Sequence, residues 1–294
     1  MDWPWHDMSY LSDNIRFQAK RHPLVVTGNF KTVEEYCLFL IHLKAYEEAA
    51  RLARGKVVLD VGCNKGYGTR VIGANCKKII GVDVSHKAIE YAQRKYKSHV
   101  AEFQALEGDQ LPFDERMFDL VTVFQVIEHI HDCNAFLSEI RRVLKPGGRV
   151  ILTTPNARLR LQPGMKPWNK FHVREFDANQ LADLLSLHFP VVTVRGIFAG
   201  EPLNSIERNR LKREKNRTAN ADRNGFFGQL KALLPKQIYV LLRILKARAK
   251  EAGYSQSVKS FILQHGSTSC LFLSDYDNEN ALDLIAFCGT TSDV

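Results

Sequence analysis

The sequence has no C-x-x-C pair and no other paired spacing among its six cysteines (Cys37, Cys63, Cys76, Cys133, Cys270 and Cys288). That excludes a disulfide framework and a zinc site of the usual spacing, and it fits reduced thiols in a cytosolic protein. The opening residues MDWPWHDMSY lack a basic start followed by an apolar stretch, so no signal peptide is read there. No apolar run approaches the length that spans a bilayer. Two phosphate-binding signatures are also missing. After Gly62, a G-x-G-x-x-G pattern would need glycine where Asn64 and Tyr67 stand. A P-loop would need Gly-Lys-Ser/Thr after a four-residue gap, and none follows. The expectation is a cytoplasmic protein, with peripheral contact at the inner membrane face left open.

What is present begins with an ordinary globular composition, 45% apolar, and a net charge of +9 that is unevenly spread. Residues 207 to 250 hold thirteen Lys or Arg against three Asp or Glu, so the rest of the chain stands at −1. A nearly neutral core therefore carries one basic segment, which speaks to a partner and not to the fold. A solvated charged face is the simplest account of it.

The chain is organised around VVLDVGCNKGYGTRV at 57 to 71. An apolar, β-branched run reads as a strand buried on both faces, and Gly62, Gly66 and Gly68 then allow a tight turn into a helix. Free N–H groups at such a helix start favour a negatively charged ligand group. Upstream, Thr32 and Glu35 form a capping box opening a helix over roughly 33 to 53. Downstream, KKIIGVDV predicts a second strand ending at Asp83, about twenty residues beyond Asp60, where a doubly wound sheet places the carboxylate that holds ribose hydroxyls. A third strand is expected near 101–106, a fourth at FDLVTVF, a helix from about 134 to 145 stopped by Pro146-Gly147-Gly148, and a fifth at RVILTTPN. Asp177 and Gln180 cap the next helix. PVVTVRGIFAG is the sixth strand, a short strand falls near 270–274, and LDLIAFC at 282–288 closes the sheet. The order is that of an α/β, Rossmann-like, doubly wound sheet.

The stretch D-x-G-x-N-x-G at Asp60 to Gly66, Asp83 at the second strand end, LEGDQLPF at 106 to 113, the Phe118-Asp119 entry and the IEHIHD run together resemble class I S-adenosylmethionine (SAM) dependent methyltransferases. The likeness covers about 57 to 200 and is nearest to the bacterial group containing ubiquinone-biosynthesis O-methyltransferases. It implies SAM as methyl donor, S-adenosylhomocysteine as product, and a seven-stranded sheet, mostly parallel, with its last strand antiparallel. Asn64 stands where that family has its middle glycine. Carried onto this chain, the cofactor residues are Asp60, Gly62, Cys63, Asn64, Gly66, Asp83, Val84, Glu107, Gly108, Phe124 and Gln125, with Asp109 as the alternative to Glu107. His42 and Tyr46 match the H-x-x-R-Y stretch that precedes the glycine loop in many relatives, with Ala45 replacing the arginine; core packing is the competing reading.

His129, after the fourth strand, and His172, after the fifth, are the candidate bases for a hydroxyl nucleophile. A structural histidine is the alternative for each. The E-x-x-E-H stretch that holds a divalent ion in ubiquinone-type and small-RNA 3′-end methyltransferases is Gln125 to His129 here, with Gln in place of the first acid. No metal is therefore expected, Glu128, His129 and His172 being the residues that would hold one.

The organisation expected is an N-terminal arm and helix over 1–54, the arm closing over the site or simply packing on the surface. A SAM-binding core follows over 55–200, then a basic, partly helical insertion over 201–281, then the closing strand and tail over 282–294. The acceptor expected is a small hydroxyl-bearing molecule, either a sugar, a glycolipid or a secondary metabolite; the Asn169 to Phe176 loop resembles one in glycan-modifying methyltransferases. RNA is the weaker alternative, because no aromatic residues interleave with the basic run to stack bases. A non-catalytic SAM-binding scaffold is the third. Leucines and isoleucines from Leu230 to Leu245 alternate with Lys and Arg, so 227–250 is a candidate membrane-surface helix.

Overall fold

The computed structural model describes residues 30–108, 110–221 and 258–290. The N-terminal arm, Asp109 and the 227–250 stretch lie outside the described residues.

Thr32 caps helix α1 (Val33–Leu52), its hydroxyl accepting the Glu35 N–H at 3.1 Å. The capping box is only half formed, because the Glu35 carboxylate takes the Lys31 N–H at 2.8 Å. Strand β1 (Val57–Val61) leads through the glycine turn into α2 (Tyr67–Gly73). Then come β2 (Lys78–Asp83), α3 (His86–Tyr96), β3 (Ala101–Ala105) and β4 (Phe118–Phe124). A short 3₁₀ turn (Ile127–His129) precedes α4 (Cys133–Val143) and β5 (Leu144–Pro155). The chain continues with α5 (Ala157–Arg160), α6 (Ala178–Ser186), β6 (Val191–Ala199), α7 (Leu203–Ala221), β7 (Leu271–Ser274) and β8 (Asp283–Gly289).

One sheet runs in the order β3-β2-β1-β4-β5-β8-β6-β7. Strands β1 to β5 pair in parallel, β8 pairs antiparallel with both β5 and β6, and β7 pairs antiparallel with β6. The sheet therefore has eight strands and not the seven expected. The eighth is the short strand read near 270–274, which the family's seven do not include and which adds to the outer edge of β6. The stop expected at Pro146-Gly147-Gly148 also shifts. Helix α4 ends at Val143 and β5 starts at once, so these residues form an irregularity within the strand, where the β4–β5 register slips between Phe118 and Leu120. Gly147 takes φ +75°, a left-handed conformation suited to glycine.

Alternating strand residues feed two apolar layers. Val58, Ile79, Leu120 and Ile151 pack with α1, α2 and α3, whereas Leu59, Ile80, Val121 and Leu152 pack with α4 and α6. Strand order reverses between β1 and β4, so the crevice at their carboxyl ends is the topological switch point where ligands of open α/β sheets sit.

Candidate active site

The glycine loop rests on a buried carboxylate. Asp60 is fully buried and accepts hydrogen bonds from the Thr69 hydroxyl at 2.6 Å and the Thr122 hydroxyl at 2.8 Å. It thereby ties the first turn of α2 to β1 and β4. Burial pushes its carboxyl up to about 6, with the two threonines working in the opposite direction. Above it, Gly62, Asn64 and Gly66 all take positive φ, of +77°, +48° and +79°. A side chain at Gly66 would lie 2.6 Å from the Phe103 ring, and one at Gly62 would run into Val126. Asn64 fills the middle position because asparagine tolerates the left-handed region. Cys63 is buried between them, its thiol turned towards the Asn64 carbonyl at 3.7 Å.

Asp83 meets this loop from the neighbouring strand. Its Oδ2 accepts the Asn64 N–H at 2.9 Å and its Oδ1 accepts the Ser85 N–H at 2.8 Å. Each oxygen retains a second lone pair. Val84 follows it, half-buried. Glu107 is exposed and lies 2.9 Å from His86 Nε2, next to Gly108 at φ +87°. On the other side, Phe124 ends β4 with its ring 4.8 Å from that of Tyr46. The Tyr46 ring occupies the space a Cβ on Gly68 would need, so α1 and α2 meet there without a side chain between them. His42 lies one turn earlier on the same helix. Gln125, at φ +57°, directs its amide N–H groups to Asp283 Oδ2 at 2.7 Å and Thr153 Oγ1 at 3.2 Å.

Beyond Gln125 lies a second group of polar side chains. Glu128 is buried, accepts the Thr154 hydroxyl at 3.0 Å, and is pushed up to about 8 by burial. The loop after α5 crosses the 3₁₀ turn through the Val173 N–H, which donates to the Glu128 carbonyl at 2.8 Å. That crossing brings the His129 and His172 rings edge to face with centroids 4.8 Å apart. His129 Nδ1 lies 2.8 Å from the Phe171 carbonyl oxygen, which can only accept, so that nitrogen carries the proton. His172 Nδ1 lies 2.8 Å from Glu175 Oε1, and Glu175 Oε2 accepts Arg160 Nε–H at 2.9 Å. The Arg160 guanidinium stacks 4.5 Å above the Trp168 ring.

A methyltransferase domain model matches residues 59–152. A protein of Mycolicibacterium smegmatis described as a probable S-adenosylmethionine-dependent methyltransferase is 35% identical over 176 residues, which cover 59% of this chain and 67% of that protein. A Mycobacterium tuberculosis protein of like description is 33% identical over 177 residues, 60% of this chain and 63% of its own length. The chain belongs to the class I SAM-dependent methyltransferases. A solved SAM-dependent methyltransferase of Thermotoga maritima, titled a possible histamine N-methyltransferase, shares the fold with a TM-score of 0.52 at 15% identity, over 86% of this chain and 93% of that one. The matched stretch thus spans about two thirds of the mycobacterial relatives, and neither description names an acceptor.

In this methyltransferase one ligand atom each of Glu128, His129 and His172 lie within 4.8 Å of one another. Two imidazoles and one carboxylate are a donor set suited to a borderline divalent cation, so the residues fit such an ion. Both imidazoles are anchored through Nδ1 by an oxygen acceptor, which is the usual support of a metal-bound histidine and equally of a histidine base. Sequence reasoning missed Thr69, Thr122, Thr154, Arg160, Glu175 and Asp283. For Glu175 a signal existed, the H-x-x-E spacing after His172. For Asp283, far along the chain, there was none.

Proposed function

We propose that this methyltransferase moves the SAM methyl group onto the hydroxyl oxygen of a small acceptor, a sugar, glycolipid or secondary metabolite. The adenosine lies along the tips of β2 and β3, with Asp83 holding the ribose diol, Val84 against the ring, and Glu107 and Gly108 at the adenine. The methionine part rests on the turn from Gly62 to Gly66 and against Phe124, Gln125, Tyr46 and His42. In the transfer, the acceptor oxygen forms a bond to the methyl carbon as the carbon–sulfur bond breaks. The sulfonium takes that electron pair and leaves as neutral S-adenosylhomocysteine. The displaced hydroxyl proton passes to an imidazole nitrogen. Alignment in a dry crevice supplies most of the acceleration, and proton removal adds to it.

The observation that carries the reading is the His129–His172 pair, two rings in contact at the carboxyl end of the sheet, each anchored through Nδ1. His129→Ala and His172→Ala are expected to lower turnover about 10²- to 10⁴-fold on an acceptor found by screening metabolite and glycan pools with labelled SAM, while leaving affinity for S-adenosylhomocysteine intact. Full turnover in both variants would remove the reading. A gel shift on RNA across a salt series tests the RNA alternative. Tight SAM binding with no acceptor ever methylated would favour the scaffold.

The cluster favours one second version. Glu128, His129 and His172 would hold a divalent cation, which would polarise the acceptor hydroxyl and ease loss of its proton. Turnover that survives EDTA fits the base; turnover lost in EDTA and restored by magnesium or manganese assigns the cluster to an ion.

A further inference from the structure

Glu175 lies outside the cofactor crevice, yet its side chain is wholly removed from solvent, between one fixed cation and one imidazole. An isolated carboxylate buried this way would cost several kcal/mol and would tend to take up a proton. Here the environment reverses that tendency. Both oxygens are met by fixed donors, Oε1 lying 2.8 Å from His172 Nδ1 and Oε2 accepting the Arg160 Nε–H at 2.9 Å.

Each partner is itself restrained. Arg160 closes the single turn of α5, whose cap is the Asn156 side chain accepting the Arg158 N–H at 3.1 Å. Its guanidinium carbon lies over the Trp168 ring, 4.5 Å from the centroid. The segment bearing His172 and Glu175 is tied down at three points. His172 N–H donates to the Asn169 carbonyl at 2.9 Å, Val173 N–H to Glu128, and the Phe176 carbonyl accepts the Ala157 N–H at 2.9 Å. A side chain gripped from both sides on pinned backbone has one position open to it.

We infer that Glu175 is a positioning residue: it holds His172 in the tautomer with the proton on Nδ1, so that the Nε2 lone pair is the one presented to Glu128, His129 and whatever binds between them. Arg160 acts one step further out, its guanidinium holding Oε2 so that Oε1 stays turned towards the ring. The role rests on the reading that the histidine pair is the reactive group, and it holds whether that lone pair takes a proton or a metal ion. A glutamine at position 175 keeps the shape but presents either an oxygen or an N–H to Nδ1, so the tautomer is no longer dictated.

The test is nuclear magnetic resonance on the full ¹⁵N-labelled chain bound to S-adenosylhomocysteine, reading two-bond correlations from the imidazole carbon-bound protons. The His172 pattern is assigned by its disappearance in His172→Asn. The expected wild-type pattern is protonated Nδ1 with a bare Nε2. In Glu175→Gln the two nitrogen shifts should move towards each other or exchange, in a chain that melts at lower temperature but stays folded and binds S-adenosylhomocysteine. Glu175→Asp, which draws the same charge back by one methylene, should keep the wild-type tautomer as the major form. Protonated Nε2 in the wild type overturns the inference, as does an unchanged His172 pattern in a folded Glu175→Gln. If neither variant folds, the wild-type pattern alone still decides the tautomer. These spectra read the clamp without any acceptor, so a failed acceptor screen leaves them standing. Equally, a correct tautomer beside full turnover in His172→Ala would defeat the base reading and leave the clamp intact.

Discussion

Asp60 is a carboxylate whose neighbours are two hydroxyls and no cation, and this gives its charge a measurable cost. Its carboxyl is raised from 3.8 to about 6, so the folded chain binds this proton more tightly than the unfolded chain does. The contribution to stability is full below about 4 and is lost as pH rises through about 6, a difference of roughly 3 kcal/mol. Asp60→Asn cannot ionise, and its amide can still meet both hydroxyls. Without cofactor, thermal melts from pH 4.5 to 8 should therefore show the variant gaining on the wild type as pH rises. Curves that stay parallel would mean the Asp60 charge is compensated by something other than Thr69 and Thr122. A second residue-level test concerns Gly68, where a Cβ would fall within the Tyr46 ring. Gly68→Ala should cost about 1–3 kcal/mol in urea unfolding through overpacking. Combined with Tyr46→Leu, it should cost clearly less than the sum of the two single changes. Additive costs would show that the ring has room to move aside.

Elements were legible in the sequence where local chemistry agreed with burial. Strands β1, β2 and β4 are rich in apolar and β-branched residues, and Asp83 ends its strand as the spacing from Asp60 predicts. Boundaries set by tertiary pairing were not. Pro146-Gly147-Gly148 reads as a helix stop, yet β4 recruits Leu144 opposite Phe118 and makes the same residues part of a strand. The short strand expected near 270–274 is present as Leu271–Ser274, but its place in the sheet, antiparallel on the β6 edge from Gly196 to Ala199, was not legible. The site divides in the same way. The glycine loop announces itself within a few residues, whereas Asp283 reaches Gln125 only through the return of the closing strand. The added edge strand can be tested directly. Leu271 is 3% exposed against the core, while Phe272 is 52% exposed and stacks on Phe198 with centroids 5.7 Å apart. Leu271→Ala should cost about 2–5 kcal/mol in urea unfolding, and Phe272→Ala under about 1 kcal/mol. Equal costs would mean that β7 is not seated against β6 as described.

At the scale of the whole molecule, the charge of +9 is concentrated in 207–250 against a remainder of −1. Part of that segment is α7, where local acids already engage the cations. Arg210 pairs with Glu207, Arg213 with Glu34 of α1, and Arg217 with Glu214. Two of these pairs lie within the helix, while Arg213 and Arg208, which donates to the Asn280 carbonyl at 2.8 Å, tie it to the domain. The larger share of the positive charge, seven Lys or Arg against Asp222, belongs to 222–250, which lies outside the described residues and in which the 227–250 leucines alternate with Lys and Arg. Among the described residues no helix is long and apolar enough to cross a membrane. Basic residues near an anionic surface gain about 1 kcal/mol each, a gain that falls off within a Debye length and is screened by salt. A lipid-linked glycan acceptor would place such a surface beside the crevice. The protein is therefore expected to co-sediment with vesicles containing phosphatidylserine at low ionic strength, to release progressively as salt is raised, and to lose the association when 227–250 are deleted. Indifference to anionic vesicles at low salt would remove the membrane proposal. Retention by the deleted form would move the contact to another face of the domain.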